Sequence, residues 1–316
     1  MAAEIHRFSV GAPKINLSVT VAGQGPAVLM LHGFPELGYS WRHQIHALEA
    51  AGYHAIAPDQ RGYGWSDTPD RVEDYDIFAL TGDAIALLDH LEVEQAVVVG
   101  HDWGSMVAAQ LAQFRPDRVR GLVLMSVPYS PRSSRSFTDA IAGTDPEGPF
   151  GYMVAFQDLE NPVEELMDAD PIAVMRSMFW AVSGCEPDPE KPNALPPFIN
   201  DGEFENYCRA FARTGFGGGV NWYRNMARNW ERTKPWHRMN IPMPAMFLGG
   251  TADFVVQAVD EKVASGISNA EDSGGMDQYF DDLRADVRVE GAGHWVQQES
   301  PEEVNAALIE FLEGLD

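Results

Sequence analysis

The sequence predicts an α/β fold: a mostly parallel central sheet flanked by helices, with an inserted, mostly helical cap. Three observations carry the prediction. Short β-branched runs alternate with amphipathic stretches of helical length over residues 1–129, the pattern of a parallel sheet covered on both faces. The alternation breaks at Pro128, and residues 130–236 are rich in Pro, Gly, Met and aromatics, with helical stretches but no convincing parallel strand. It resumes near Pro244, so residues 237–316 complete the core begun by 1–129 around a cap at 130–236.

Taken in order, residues 5–10 and 15–21 read as an opening hairpin, 27–31 as a buried strand, 39–50 as a helix and 53–57 as a strand. A helix over 77–91 closes in an acidic connection. The β-branched run around Val97 is the next strand, followed by an alanine-rich helix over 106–114 and, after the loop at Pro116, a strand over 119–125. Past the cap, 244–249 and 287–290 read as strands and 301–312 as a terminal amphipathic helix. The acidic, glycine-rich stretch 266–282 reads as an exposed excursion from the core.

At 316 residues, with 45% hydrophobic and 22% charged, the chain can bury one large core or a core carrying an insertion. Glu4, His6 and Arg7 interrupt the apolar run that a secretory signal would need, and no stretch approaches the ~20 apolar residues of a membrane span. A soluble, cytoplasmic protein is expected. The formal charge is −25, from 47 acidic and 22 basic side chains. Such a polyanion repels nucleic acid and anionic lipid, which argues against both as partners. The few lysines (Lys14, Lys191, Lys234, Lys262) fit a salt-adapted host and GC-rich codons equally well. Cys185 and Cys208 lack CxxC or Cys/His metal spacing and read as packed thiols, so no metal site is expected.

Residues 96–105, AVVVGHDWGS, are a β-branched run, a glycine, a reactive residue type two places on, a second glycine and the start of a helix. This is the strand, sharp turn and helix of a nucleophile elbow, with Asp102 at its apex. Gly100 and Gly104 suit a turn that crowds the backbone. A serine there would attack acyl carbons. A carboxylate instead can displace a leaving group at a saturated carbon and form an alkyl ester.

Five further segments stand in series with the elbow: HGFPE at 32–36, YMVAFQ at 152–157, NWYRN at 221–225, GGTADFVV at 249–256 and GAGHW at 291–295. Together with GHDWG at 100–104 they cover nearly the whole chain, which resembles the epoxide hydrolases of the α/β-hydrolase fold. The resemblance implies that Asp102 is the nucleophile, His294 the base and Asp253 the acid that orients it, a catalytic triad in the chain order of that fold. It implies that Tyr152 and Tyr223, from the cap, hydrogen-bond the epoxide oxygen. It also implies an oxyanion hole from the backbone N–H groups of Phe34 and Trp103, two donors facing an oxygen of Asp102, and a cis bond between Phe34 and Pro35.

Chemistry supports those assignments. Histidine, with a reference pKa of ~6.5, suits a base that takes a proton from water near neutral pH. Tyrosine, at ~10, stays protonated at pH 7 and can donate to a developing alkoxide. Among the remaining histidines, His43, His46 and His90 sit on helices, His54 at a strand, and His101 is the ordinary neighbour in the elbow pattern. Phe34, Trp103, Phe156 and Trp295 are read as walls of an apolar substrate pocket. Ser105 stands where many relatives have Ala and is assigned no chemistry.

The reaction expected is hydrolysis of a small-molecule epoxide to a vicinal diol, without a cofactor, with a homodimer left open. Two rival readings are carried. A haloalkane dehalogenase uses the same Asp, His and acid set; Trp103 could supply a halide donor, but Phe34 has none in its side chain. A non-catalytic receptor on this scaffold would tend to lose part of the set, and every expected member is present.

Overall fold

Apolar runs of strand length can be buried only where both faces of a sheet are covered, and the central strands are buried throughout. The computed structural model describes residues 3–136, 139, 147–148, 150–191, 193–265 and 276–315. Its strands are Glu4–Val10 (β1), Ile15–Ala22 (β2), Ala27–Leu31 (β3), His54–Pro58 (β4), Ala96–His101 (β5), Val119–Met125 (β6), Ala245–Gly250 (β7) and Leu283–Val289 (β8). They form one sheet in the order β1-β2-β4-β3-β5-β6-β7-β8. The β1/β2 and β2/β4 pairs are antiparallel and the remaining pairs parallel. Alternate side chains divide the core: Leu29, Leu31 and Val98 belong to one apolar cluster, Val28, Met30, Val97 and Val99 to the other.

The core helices follow the strands they cross over. Arg42–Ala50 (α1), Ile77–His90 (α2) and Trp103–Phe114 (α3) precede β4, β5 and β6. Between β6 and β7 lies a helical insert: Gly151–Ala155 (α4), Val163–Ala169 (α5), Pro171–Ala181 (α6), Asp201–Thr214 (α7), Gly217–Arg224 (α8) and Met226–Arg232 (α9). No strand occurs among its described residues. Two of its helices start at a side-chain cap. Asp170 accepts from Ala173 N–H ahead of Pro171, and Asn200 with Glu203 forms a capping box. After the insert come Phe254–Ser265 (α10), Val296–Glu299 (α11) and Pro301–Glu313 (α12). Among the described residues no helix is long and apolar enough to cross a membrane.

Three local expectations change. The helix expected over 39–50 divides into a 3₁₀ turn, Gly38–Trp41, and α1. Strand β8 begins at Leu283 because LRADVRV alternates exposed and half-buried positions at the sheet edge, a pattern that its charged residues disguise. The stretch 266–275 lies outside the described residues. The end of the stretch expected to be exposed, by contrast, is packed: Phe280 is buried and bridges to Ile241 in parallel register.

Candidate active site

Helix α3 starts at Trp103, not at Met106, because the turn carrying Asp102 leads into it without a spacer. Asp102 takes φ 52° and ψ −119°, a conformation unusual for a residue with a side chain. Close backbone approach enforces it. A Cβ on Gly104 would stand 1.9 Å from the Leu31 carbonyl oxygen, and one on Gly33 would stand 2.3 Å from Asp102 Oδ1. Ser105 also contributes: its Oγ donates to the Gly100 carbonyl oxygen at 2.7 Å and accepts from Met125 N–H at 3.0 Å, tying the elbow to β5 and β6.

The carboxylate so presented has distinct partners on its two oxygens. Asp102 Oδ1 accepts from Phe34 N–H at 2.8 Å, and Oδ2 lies 3.5 Å from His294 Nε2. The other side of the His294 ring, Nδ1, is 3.0 Å from Asp253 Oδ2. Asp253 is fully buried in the turn between β7 and α10, where Val255 N–H donates to its Oδ1 at 2.9 Å. Phe34 and Pro35 are joined by a cis peptide. Among the described residues no hydrogen bond joins Trp103 N–H to Asp102, so one backbone donor faces this carboxylate where two were expected. Asp102 is itself the N-cap of α3 and makes no side-chain capping bond.

Burial alone would depress the basicity of His294, but the charges and hydrogen bonds of Asp253 and Asp102 outweigh it and hold the imidazole well above its usual value. Burial would raise the Asp102 carboxyl. His294, the charge of His101 and the Phe34 N–H reverse that and keep it below the ordinary carboxylate value. The His294 ring thus sits between the carboxyl groups of Asp102 and Asp253.

His101 is more than a neighbour in the elbow. Its Nδ1 lies 2.6 Å from Glu36 Oε2 and its Nε2 2.7 Å from the His294 carbonyl oxygen, and both side chains are fully buried. Both ring nitrogens of His101 thus face buried oxygen acceptors, the Glu36 carboxyl and the His294 carbonyl. Glu36 Oε1 accepts from Gln297 and Gln298 at 2.9 and 3.0 Å. The final residue of HGFPE was the available signal, but its partners arrive from positions more than sixty residues distant.

Tyr152 on α4 and Tyr223 on α8 face each other with ring centroids 5.8 Å apart. Burial raises both phenols, and the Asp102 charge raises them further. The two rings and that of Trp103 pack edge to face, Tyr223 on Tyr152 and Tyr223 on Trp103. The helices are locked together by Gln157 Nε2 donating to the Tyr223 carbonyl at 3.1 Å and Arg224 Nε to the Phe156 carbonyl at 3.0 Å. Phe156 and Phe34 stand 5.0 and 5.5 Å from the Tyr223 ring, and Trp103 stands 4.9 Å from it. Trp295 lies apart from that group, on the far side of His294, with its indole N–H donating to the Phe179 carbonyl. Gly219, one helical turn before Tyr223, lets α8 approach: a Cβ there would stand 2.6 Å from the Phe34 ring. The GGG run ahead of NWYRN signals this contact, and sequence reasoning passed over it. Among the described residues no group of His, Cys, Asp and Glu is arranged to hold a metal ion.

Comparison with known proteins now adds to this geometry. A family model for the α/β hydrolase fold matches residues 26–155. Epoxide hydrolase A of Mycobacterium tuberculosis is 42% identical, over 96% of this chain and 95% of that protein. Epoxide hydrolase 1 of Siraitia grosvenorii is 36% identical, over 98% of each. The crystal structure of epoxide hydrolase A from Mycobacterium thermoresistibile superposes with a TM-score of 0.87 at 40% identity, covering 100% of this chain and 99% of that one.

Proposed function

The chain belongs to the epoxide hydrolases of the α/β-hydrolase fold, and from that premise we propose that it opens its epoxide through a covalent ester on Asp102. Residues 1–129 and 237–316 form the catalytic core in this reading, and 130–236 the cap that supplies the phenols. Oδ1 stays with the Phe34 N–H, so Oδ2 is the attacking oxygen. It forms a bond to one epoxide carbon while the carbon–oxygen bond of the ring breaks. Tyr152 and Tyr223 hydrogen-bond the departing oxygen, which leaves as a hydroxyl once a proton is delivered through them.

Ester formation then switches on the base. Esterified Asp102 has lost its charge, and with it one of the two influences that raise His294; the ring then releases its proton to solvent, and solvent returns one to the phenol that protonated the departing oxygen. The neutral imidazole, oriented by Asp253, takes a proton from water as that water attacks the ester carbonyl carbon. Negative charge moves to Oδ1, where Phe34 N–H and, in the tetrahedral state, Trp103 N–H receive it; one such donor commonly contributes ~3 kcal/mol. Collapse breaks the acyl carbon–Oδ2 bond, His294 returns the proton, and the vicinal diol leaves carrying Oδ2.

The observation that carries this reading is the pair of facing tyrosine rings, 5.8 Å apart, with Tyr223 packed on Phe34 and Trp103, the residue that donates to Asp102 and the one that follows it. Halide release is disfavoured because a halide cradle needs a second side-chain donor beside Trp103, and Phe34 offers none. Phe34, Phe156 and Trp103 wall the site, and Trp295 backs His294. The acidic chain fits a cytoplasmic enzyme whose partner is a small-molecule epoxide, without nucleic acid or membrane. Incubating His294→Gln with styrene oxide should trap the ester, read as a gain of one substrate mass on the intact protein. Continued turnover with no adduct would remove His294 from the scheme.

A further inference from the structure

The insert and the loop bearing His294 meet at a carboxylate that the mechanism above leaves unused. Glu299 ends α11. Its Oε2 accepts from Gly184 N–H at 2.8 Å and from Gly293 N–H at 2.9 Å, and its Oε1 from Trp295 N–H at 3.0 Å. The intervening N–H, that of His294, donates at 2.8 Å to the carbonyl of Val182, just beyond the end of α6. Consecutive backbone donors at 293, 294 and 295 are thus all bound, two by Glu299 and one by the insert. The contact leaves no slack, since a Cβ on Gly293 would stand 2.1 Å from Gly184 N and one on Gly184 2.2 Å from the Gly291 carbonyl oxygen.

The opposite side of the same peptide is anchored in the core. His101 Nε2 and Ser126 Oγ lie 2.7 and 2.8 Å from the His294 carbonyl oxygen. The aim of the His294 ring is therefore fixed between a rigid core anchor and a clasp that includes the insert. The other groups of the site do not hang on that clasp. Asp102 is held by its glycine-packed elbow. Helix α8 docks on the core through Trp222 Nε1 to the Arg61 carbonyl and Asn225 Nδ2 to the Val72 carbonyl.

We propose that Glu299 is a positioning residue that couples the seating of the insert to the aim of His294, so that hydrolysis of the ester depends on it and attack on the epoxide does not. The proposal rests on the reading of His294 as the base that activates water. A glutamine at this position keeps the shape but sets an NH2 group against at least one backbone N–H, so it cannot satisfy all three donors. Displacement of a catalytic group by about 1 Å can cost on the order of 100-fold in rate.

The test is rapid-quench kinetics of Glu299→Gln and Glu299→Asp with styrene oxide, quantifying the ester by intact mass. For Glu299→Gln, ester formation proceeds at the wild-type rate, hydrolysis slows by about 10- to 100-fold, and the ester accumulates at steady state. Then kcat and KM fall by the same factor while kcat/KM stays constant. Glu299→Asp, which keeps the charge, recovers part of the hydrolysis rate. A merely structural clasp would lower the active fraction, reducing kcat and kcat/KM together at constant KM, and that result overturns the proposal. So does ester formation slowing as much as hydrolysis. The two ideas fail separately: if His294→Gln traps ester and Glu299→Gln does not, only the role of Glu299 falls.

Discussion

The elbow that carries Asp102 and the insert that carries the tyrosines face one reaction site but are built by opposite means. Asp102 is placed by backbone: a positive φ, and glycines at positions where a Cβ would overlap a carbonyl oxygen or the carboxylate itself. Tyr152 and Tyr223 are placed by side chains, in a cluster of rings 5.0 to 5.8 Å apart with Phe156, braced by Gln157 and Arg224. Backbone constraints tolerate almost no substitution. Ring packing tolerates exchange so long as volume is kept. In the proposed mechanism the attacking group is thus rigidly located, while the groups that hold the leaving oxygen sit on the part of the molecule that is easier to alter.

The contrast predicts unequal costs. Removing both phenols by Tyr152→Phe and Tyr223→Phe deletes the donors but keeps the ring packing, so the fold persists while alkylation slows by about 1,000- to 10,000-fold. Each single change costs about 10- to 100-fold in kcat/KM, with the fully buried Tyr223 the more costly, as single-turnover kinetics on each variant would measure. A double mutant that retains wild-type alkylation would mean that the insert encloses the substrate without acting on it.

A smaller effect lies within the core. His294 is held protonated above its usual value by Asp253 and Asp102 against the opposing pull of burial. Its charged form therefore contributes stability that is complete below the unfolded value of ~6.5 and is lost as pH rises through the raised folded value. Asp102→Asn removes one partner, so the His294 titration followed by NMR should move to lower pH. An unchanged titration would show that Asp253 alone sets it, and that ester formation does not switch the base on.

How much of this was legible in the sequence follows the same division. Gly100, Asp102 and Gly104 lie within five residues, because a strand turning sharply into a helix needs its small residues at fixed local spacing. Asp253 and His294 follow strand ends, where the fold's order points to them. What remained hidden depends on contacts between distant segments. Glu36 meets His101, Gln297 and Gln298 only in the folded core, and Glu299 meets Gly184 across 115 positions. The missing bond from Trp103 N–H to Asp102 was equally beyond reach, since it turns on the direction of a single carboxylate. In the insert, the docking of α8 required recognising Gly219 as a contact and not as a loop residue.

The central claim is that Asp102 bonds to the substrate and surrenders an oxygen to it. One turnover of excess enzyme on styrene oxide in heavy-oxygen water, with the diol analysed by mass spectrometry, tests that directly. The account predicts a first diol without label, its new oxygen taken from Asp102, and label in the protein carboxylate instead. A labelled diol in that first turnover would mean that water attacks the epoxide itself and that no ester forms.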